Sequence, residues 1–181
     1  DFFSGSTLQT RTETLRRAAI MLASRAPTQQ ELTTVANGDE TTLKIALRNL
    51  MTGEGFHKFL TEGTNDRLLL EAATESPLNT VLWNYYRLVQ QIYDIRKSGL
   101  DSGLTKQQVD SLAFKYSNLI EDGMQHSPGE LVAYVAENDR PYTEVVTADY
   151  TMMTPKIAQV LDGGDLNFSN PNNDFEFRPG R

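Results

Sequence analysis

Cysteine is absent from the 181 residues. That excludes disulfides, Cys-ligated zinc, a thiolate nucleophile and covalently attached c-type haem within this chain. It is compatible with an exported bacterial protein and equally with a cytosolic one. Long apolar runs are missing too. The longest, such as residues 18–23, fall far short of the roughly 20 residues that span a bilayer, so no membrane insertion is expected. No signal-peptide pattern opens the chain. A basic surface is lacking: the formal net charge is −7 and the pI about 4.8, which argues against nucleic-acid binding through phosphates.

Histidine is scarce. The two present, His57 and His126, have no partner histidine at helical spacing, and no HExxH pattern exists. A GxSxG elbow, a phosphate-cradling P-loop and a GxGxxG turn are all absent. Nothing repeats at a fixed period of 20 to 50 residues. Strand signals are weak, without β-branched runs or a hairpin Asn-Gly between alternating segments.

What the sequence does contain is helical pattern with start and stop signals. Thr10-Arg11-Thr12-Glu13, Thr28-Gln29-Gln30-Glu31 and Thr105-Lys106-Gln107-Gln108 each have the capping-box spacing. After the first come Leu15, Ala18, Ala19 and Leu22 on one face, widened by Ile20 and Met21. Pro27 disfavours helix at Ala26. The second opens a short helix with Leu32 and Val35, ended by Asn37-Gly38. A third helix is expected over 40–52, where Leu43, Leu47, Leu50 and Met51 recur at spacings of three and four. Gly53 and Gly55 punctuate it, Phe56, Phe59 and Leu60 make another short apolar face, and 63–65 reads as a turn.

Residues 68–73 suit a helix or a short buried strand. The clearest long helix is expected over 79–98. Leu82, Tyr85, Tyr86, Val89, Ile92 and Tyr93 line one side of it, and the aromatics Trp83, Tyr85 and Tyr86 read as core packing. A helix from Thr105 ends at Gly123, and Ser127-Pro128-Gly129-Glu130 starts another, with Pro at the first helical position. A turn or two over 142–148 and a short helix from Thr154-Pro155 follow. The fold class expected is all-α, a multi-helix bundle or orthogonal helical array with an irregular C-terminal tail. Residues 1–9 form an N-terminal arm, 10–165 a helical domain and 166–181 the tail, on which Phe168, Phe175 and Phe177 are available to lie on the body. The length suits one domain or a packed pair of helical subdomains.

The densest polar and aromatic cluster lies in 137–150. Paired carboxylates serve as general acid and base, so Glu144 and Asp149 are the candidate catalytic residues of a hydrolase. Asp139, Arg140, Tyr142 and Tyr150 would shape the binding site. The competing reading is structural: Asp139 turns the chain before Pro141, Glu144 pairs with Arg140 at helical spacing, and Asp149 fixes a loop. Asp162, Asp165, Asn167, Asn172, Asn173 and Asp174 offer oxygen ligands of the kind calcium uses. The EF-hand order is not met, so no metal site is assigned. A carbohydrate- or calcium-binding module stays open as an alternative.

Two stretches carry a resemblance. Residues 15–32 (LRRAAIMLASRAPTQQEL), with 45–60 after them, and residues 138–144 (NDRPYTE) with 147–151 (TADYT) resemble uncharacterised exported proteins associated with planctomycete-type cytochrome c domains. The resemblance implies a helical bacterial protein of the periplasm or cell surface, with no cofactor inside this chain and any haem on a partner or on a segment outside these residues. It also implies a fragment or component of a larger assembly, as does a first residue of Asp1 rather than Met. The function expected is a non-catalytic helical interaction module of an exported, electron-transfer-associated protein. Its partner would be another protein or another segment of the same precursor.

Overall fold

The computed structural model describes residues 9–68, 85–161 and 166–181. Among them are eight helices and one two-stranded sheet. The architecture is the all-α array with an irregular C-terminal segment that the helical periodicity implies. The chain divides into two compact units, Asp1–Gly63 and Thr64–Arg181. Each unit has its own apolar core, and that is the physical basis of the division.

The first unit contains α1 (Arg11–Ala23), α2 (Gln29–Asn37), α3 (Glu40–Leu50) and most of α4 (Gly53–Leu68). The Thr10 hydroxyl accepts from the Glu13 amide while the Glu13 carboxylate accepts from the Thr10 amide; Thr28 and Glu31 repeat the arrangement. Asp39 and Thr42 cap α3 in the same reciprocal way. Each box satisfies amides that have no acceptor inside the first helical turn. Leu15, Ala19, Val35 and Leu50 are shut away from solvent, with Leu22, Leu32, Leu43 and Leu47 packed around them. Burying a leucine or valine contributes about 1.5–3 kcal/mol, so this short list holds the three helices together.

Ile20 and Met21 do not widen the buried face of α1 but are more than 60% exposed. The glycines at 53, 55 and 63 do not break the chain into short pieces: α4 runs through all of them. Gly53, at φ +77°, stands where the chain turns into the helix. At Gly55 a Cβ would lie 2.3 Å from the Ala23 carbonyl oxygen, so this glycine marks a close approach of helix and backbone, not a stop.

The second unit holds α5 (Tyr85–Asp101), α6 (Lys106–Glu137), α7 (Glu144–Thr147), β1 (Thr151–Met153), α8 (Pro155–Leu161) and β2 (Arg178–Gly180). Its core gathers Leu88 from α5, Tyr116 and Ile120 from α6, Met153 from β1, and Ile157 and Val160 from α8. β1 and β2 are antiparallel, with Met152 opposite Pro179. Thr154, fully buried, accepts from the Ile157 amide to start α8. The C-terminal segment is tied to this core: Leu166 and Phe168 pack against it, whereas Phe175 is 55% exposed. Period-two patterning cannot reveal strands of three residues, which is why β1 and β2 escape the sequence.

The helix expected to end at Gly123, and its successor expected to start at Ser127, are one helix of 32 residues with Pro128 inside it. Gly123, Ser127 and Gly129 are buried. Their small size lets neighbouring elements approach, and the Ser127 hydroxyl lies 2.7 Å from that of Thr151 in β1. Tertiary packing thus overrides the stop read at Gly123 and the start read at Ser127. Residues 69–84 lie outside the described residues, and with them most of the 68–73 expectation, Leu82, Trp83 and the start of the helix expected from 79.

Two carboxylates tie loops together in a pH-dependent way. Glu31 pairs with Arg25 at 2.7 Å, and this contact, with the Thr28 amide, holds its pKa down at about 2. Glu176 accepts from the amides of Ser169 and Asn170 and from Arg178, which holds it at about 2 as well. A carboxylate whose folded pKa lies below its unfolded value of about 4.5 contributes stability above that value, and loses it as pH falls toward the folded pKa. The urea midpoint is therefore expected to drop between pH 5 and pH 2. Glu31→Gln combined with Glu176→Gln should flatten that part of the profile; an unchanged slope would contradict the assignment.

Candidate functional site

Segment 137–150 sits where α6 ends and the chain turns into α7. The turn is made by backbone chemistry: the Asp139 amide bonds the Ala136 carbonyl at 3.3 Å and the Arg140 amide bonds the Val135 carbonyl at 3.0 Å. Asp139 takes φ +54°. This is the Schellman arrangement, in which a left-handed residue satisfies the last helical carbonyls. Glycine adopts that region without a Cβ penalty, so Asp139→Gly is expected to stabilise the protein by up to about 1 kcal/mol, read as a higher urea midpoint.

The turn delivers Arg140 to Glu144. The guanidinium donates two bonds to the carboxylate, at 2.8 and 2.7 Å, and its carbon lies 5.4 Å from the centre of the Tyr134 ring. Tyr150 donates its hydroxyl to the same carboxylate at 2.6 Å, and its ring meets Tyr134 edge-on at 6.1 Å. Arg140 beside Glu144, and then the Tyr150 hydroxyl, hold the carboxyl below its ordinary range. Burial, followed by the bond to Glu144, pushes the Tyr150 phenol up to about 12. Near neutral pH these contacts keep the guanidinium protonated, the carboxylate ionised and the phenol neutral.

Asp149 belongs to a different contact. It pairs with Arg181 at 2.7 Å, with both side chains mostly exposed. Each candidate carboxylate thus has its own arginine partner: Glu144 bonds Arg140 within the turn, and Asp149 pairs with Arg181, which follows the C-terminal strand. Tyr142, expected to shape a pocket, is 74% exposed. The sequence brings Arg140, Glu144 and Tyr150 together as expected, but into a structural lock. Tyr134 and Arg181, the partners that decide this, carry no signal in the segment itself.

The Asn/Asp stretch is also occupied by its own turns. The Asn170 side chain accepts from the Asn172 amide, the Asn173 side chain from the Phe175 amide, and Asp174 lies 4.0 Å from Lys156. Asp162 and Asp165 lie outside the described residues. No group of three or more metal-ligating side chains occurs among the described residues. His126 faces the Asp122 carbonyl one helical turn back at 2.7 Å. A shallow groove of about 540 Å³ between α2 and α3 is lined by Thr34, Ile45 and Asn49 together with Thr28 and Thr42. The last two hydroxyls are engaged in helix caps.

The surface that sequence reasoning misread is on α5. Tyr86, read as core packing, and Val89 and Tyr93, read on the same apolar side, are 75%, 44% and 57% exposed, and Leu100 is 52% exposed. Leu88 and Gly99 supply the buried side, with Ile92 and Ile95 partly buried. At 3.6 residues per turn, positions 86, 89, 93 and 100 fall within an arc of about 60°, so they form one apolar stripe along the helix. The helix is apolar on two sides, and periodicity does not say which side the core takes.

No family model matches the chain, and neither a curated protein nor a solved structure shows significant similarity to it. No helix among the described residues is long and apolar enough to cross a membrane.

Proposed function

We propose that this chain is a non-catalytic helical interaction module of an exported, electron-transfer-associated protein or larger assembly. The observation that carries the reading is the exposed stripe of Tyr86, Val89, Tyr93 and Leu100 on α5. Contiguous exposed apolar surface marks interaction sites, and tyrosine is enriched at them because its ring is apolar while its hydroxyl tolerates water. The locked charges around Glu144 agree with it, since they leave the most polar segment holding a turn. The likeness of residues 15–32 and 138–151 to exported, cytochrome-associated proteins supports the bacterial periplasm or cell surface as its place. With no cysteine for thioether attachment, haem in such an assembly would be carried by the partner or by another segment of the precursor.

The test places a photo-crosslinking amino acid at position 93, and at the exposed polar position Thr41 on α3 as a control, in the full-length protein in its own cell. A discrete adduct with one protein from position 93, absent from the control, is expected. No adduct at 93, together with a purely monomeric native mass, would overturn the reading.

A further inference from the structure

The stripe on α5 does not end at Leu100. The Arg96–Asp110 ion pair, at 3.2 Å, joins α5 to the start of α6 beside it. Two shallow grooves of about 520 and 540 Å³ continue the surface. The first is floored by Leu100 and Val109, the second reaches Phe114, which is 68% exposed, and both share Lys106 and Asp110. Exposed apolar side chains therefore recur along α5 from Tyr86 to Leu100 and continue onto the first turns of α6 at Phe114.

Its charge differs from that of the chain. Residues 85–115 hold five cationic side chains against three carboxylates, in a protein of net charge −7. Of those carboxylates, Asp110 is taken by Arg96, Asp94 accepts from the Gln90 amide at 2.9 Å, and Asp101 is exposed at the C-terminal end of α5, which leaves the region with a net excess of two cations. Lys97, one helical turn beyond Tyr93, and Lys106, in both grooves, form no salt bridge among the described residues. An apolar seam edged by unpaired lysines complements a helix with an apolar stripe and carboxylates beside it. A second copy of this chain fits less well, because a two-fold pairing of α5 sets this cationic region against itself.

Resting on the interaction-module reading, we propose that this face binds an acidic amphipathic helix of a protein partner. The helix would lay its apolar residues along Tyr86, Val89, Tyr93 and Leu100 and direct its carboxylates at Lys97 and Lys106. Four side chains and two shallow grooves make a small docking surface, of the kind that suits a transient complex.

The probe is a fluorescent 21-residue helical peptide with leucine at heptad positions a and d and glutamate at e and g, titrated into the full chain. A peptide with lysine replacing every glutamate is the control. The acidic peptide is expected to bind at least tenfold more tightly at 50 mM salt, with the advantage shrinking at 300 mM as screening shortens the reach of the charges. Tyr93→Ser with Leu100→Ser should abolish binding, and Lys97→Glu with Lys106→Glu should reverse the peptide preference, both with an unchanged far-UV spectrum and melting curve. Equal binding of the two peptides, or preference for the basic one, overturns the proposal. So does absence of peptide binding. If the position-93 crosslink persists in that case, or a concentration-dependent dimer is lost with Tyr93→Ser, the interaction-module reading survives; if all three are absent, it falls as well.

Discussion

Replacing Pro128 with alanine is expected to make the protein more stable, by as much as about 3 kcal/mol, the difference between proline and alanine in a helix interior. Pro128 lies well inside the helix Lys106–Glu137 and is exposed, so its ring contributes little packing that alanine would lose. It has no N–H to bond the Met124 carbonyl, and its ring crowds that carbonyl. Alanine restores the bond and removes the crowding. Against this, proline restricts the unfolded chain and alanine does not, which trims the gain. The measurement is urea unfolding followed by circular dichroism, with a higher midpoint at unchanged slope. A lower midpoint would mean that the packing of Ser127 and Gly129 against neighbouring elements requires the distortion that proline imposes.

Leu15→Ala is expected to cost about 2–5 kcal/mol, the range for truncating a buried leucine. Leu15 has no exposed surface and packs with Ala19, Val35 and Leu50 from three helices. Two of those neighbours are already small or β-branched, so the site has little slack to collapse into the cavity, which places the loss toward the upper part of the range. Gly55→Ala tests the same unit by the opposite route. Its Cβ would lie 2.3 Å from the Ala23 carbonyl oxygen, a backbone atom, and overpacking of this kind costs about 1–3 kcal/mol. Amide exchange localises both effects: protection should fall across α1, α2 and α3. Unchanged protection there, with a normal midpoint for Leu15→Ala, would show that these helices are not held by the cluster described.

Local chemistry accounts for the parts of the fold that were legible. Thr10, Thr28 and Thr105 cap the helices they announce, because a hydroxyl and a carboxylate or amide three residues apart need only the first helical turn to meet. The Arg140–Glu144 pair was legible for the same reason, being one turn apart on its own segment. Illegible features depend on residues distant in sequence. Gly55 reads as a break until the Ala23 carbonyl is seen beside it, and the Ser127-Pro128-Gly129 run reads as a helix start until β1 is seen packing there. The Asp149–Arg181 pair joins residues 32 apart, and no local spacing announces it.

The candidate interaction surface divides along the same line. Spacings of three and four determined that Tyr86, Val89 and Tyr93 share one side of a helix, and composition determined that the chain is acidic and lacks thiol chemistry. Only the tertiary structure decided that Leu88, Ile92 and Ile95 would face the core and leave the tyrosines outside. A helix with apolar residues on two sides can bury either, and the choice falls to whichever fits the cavity between α6 and α8. Sequence periodicity reports the angle between side chains on one helix; which angle points inward is set by the shape of the neighbours.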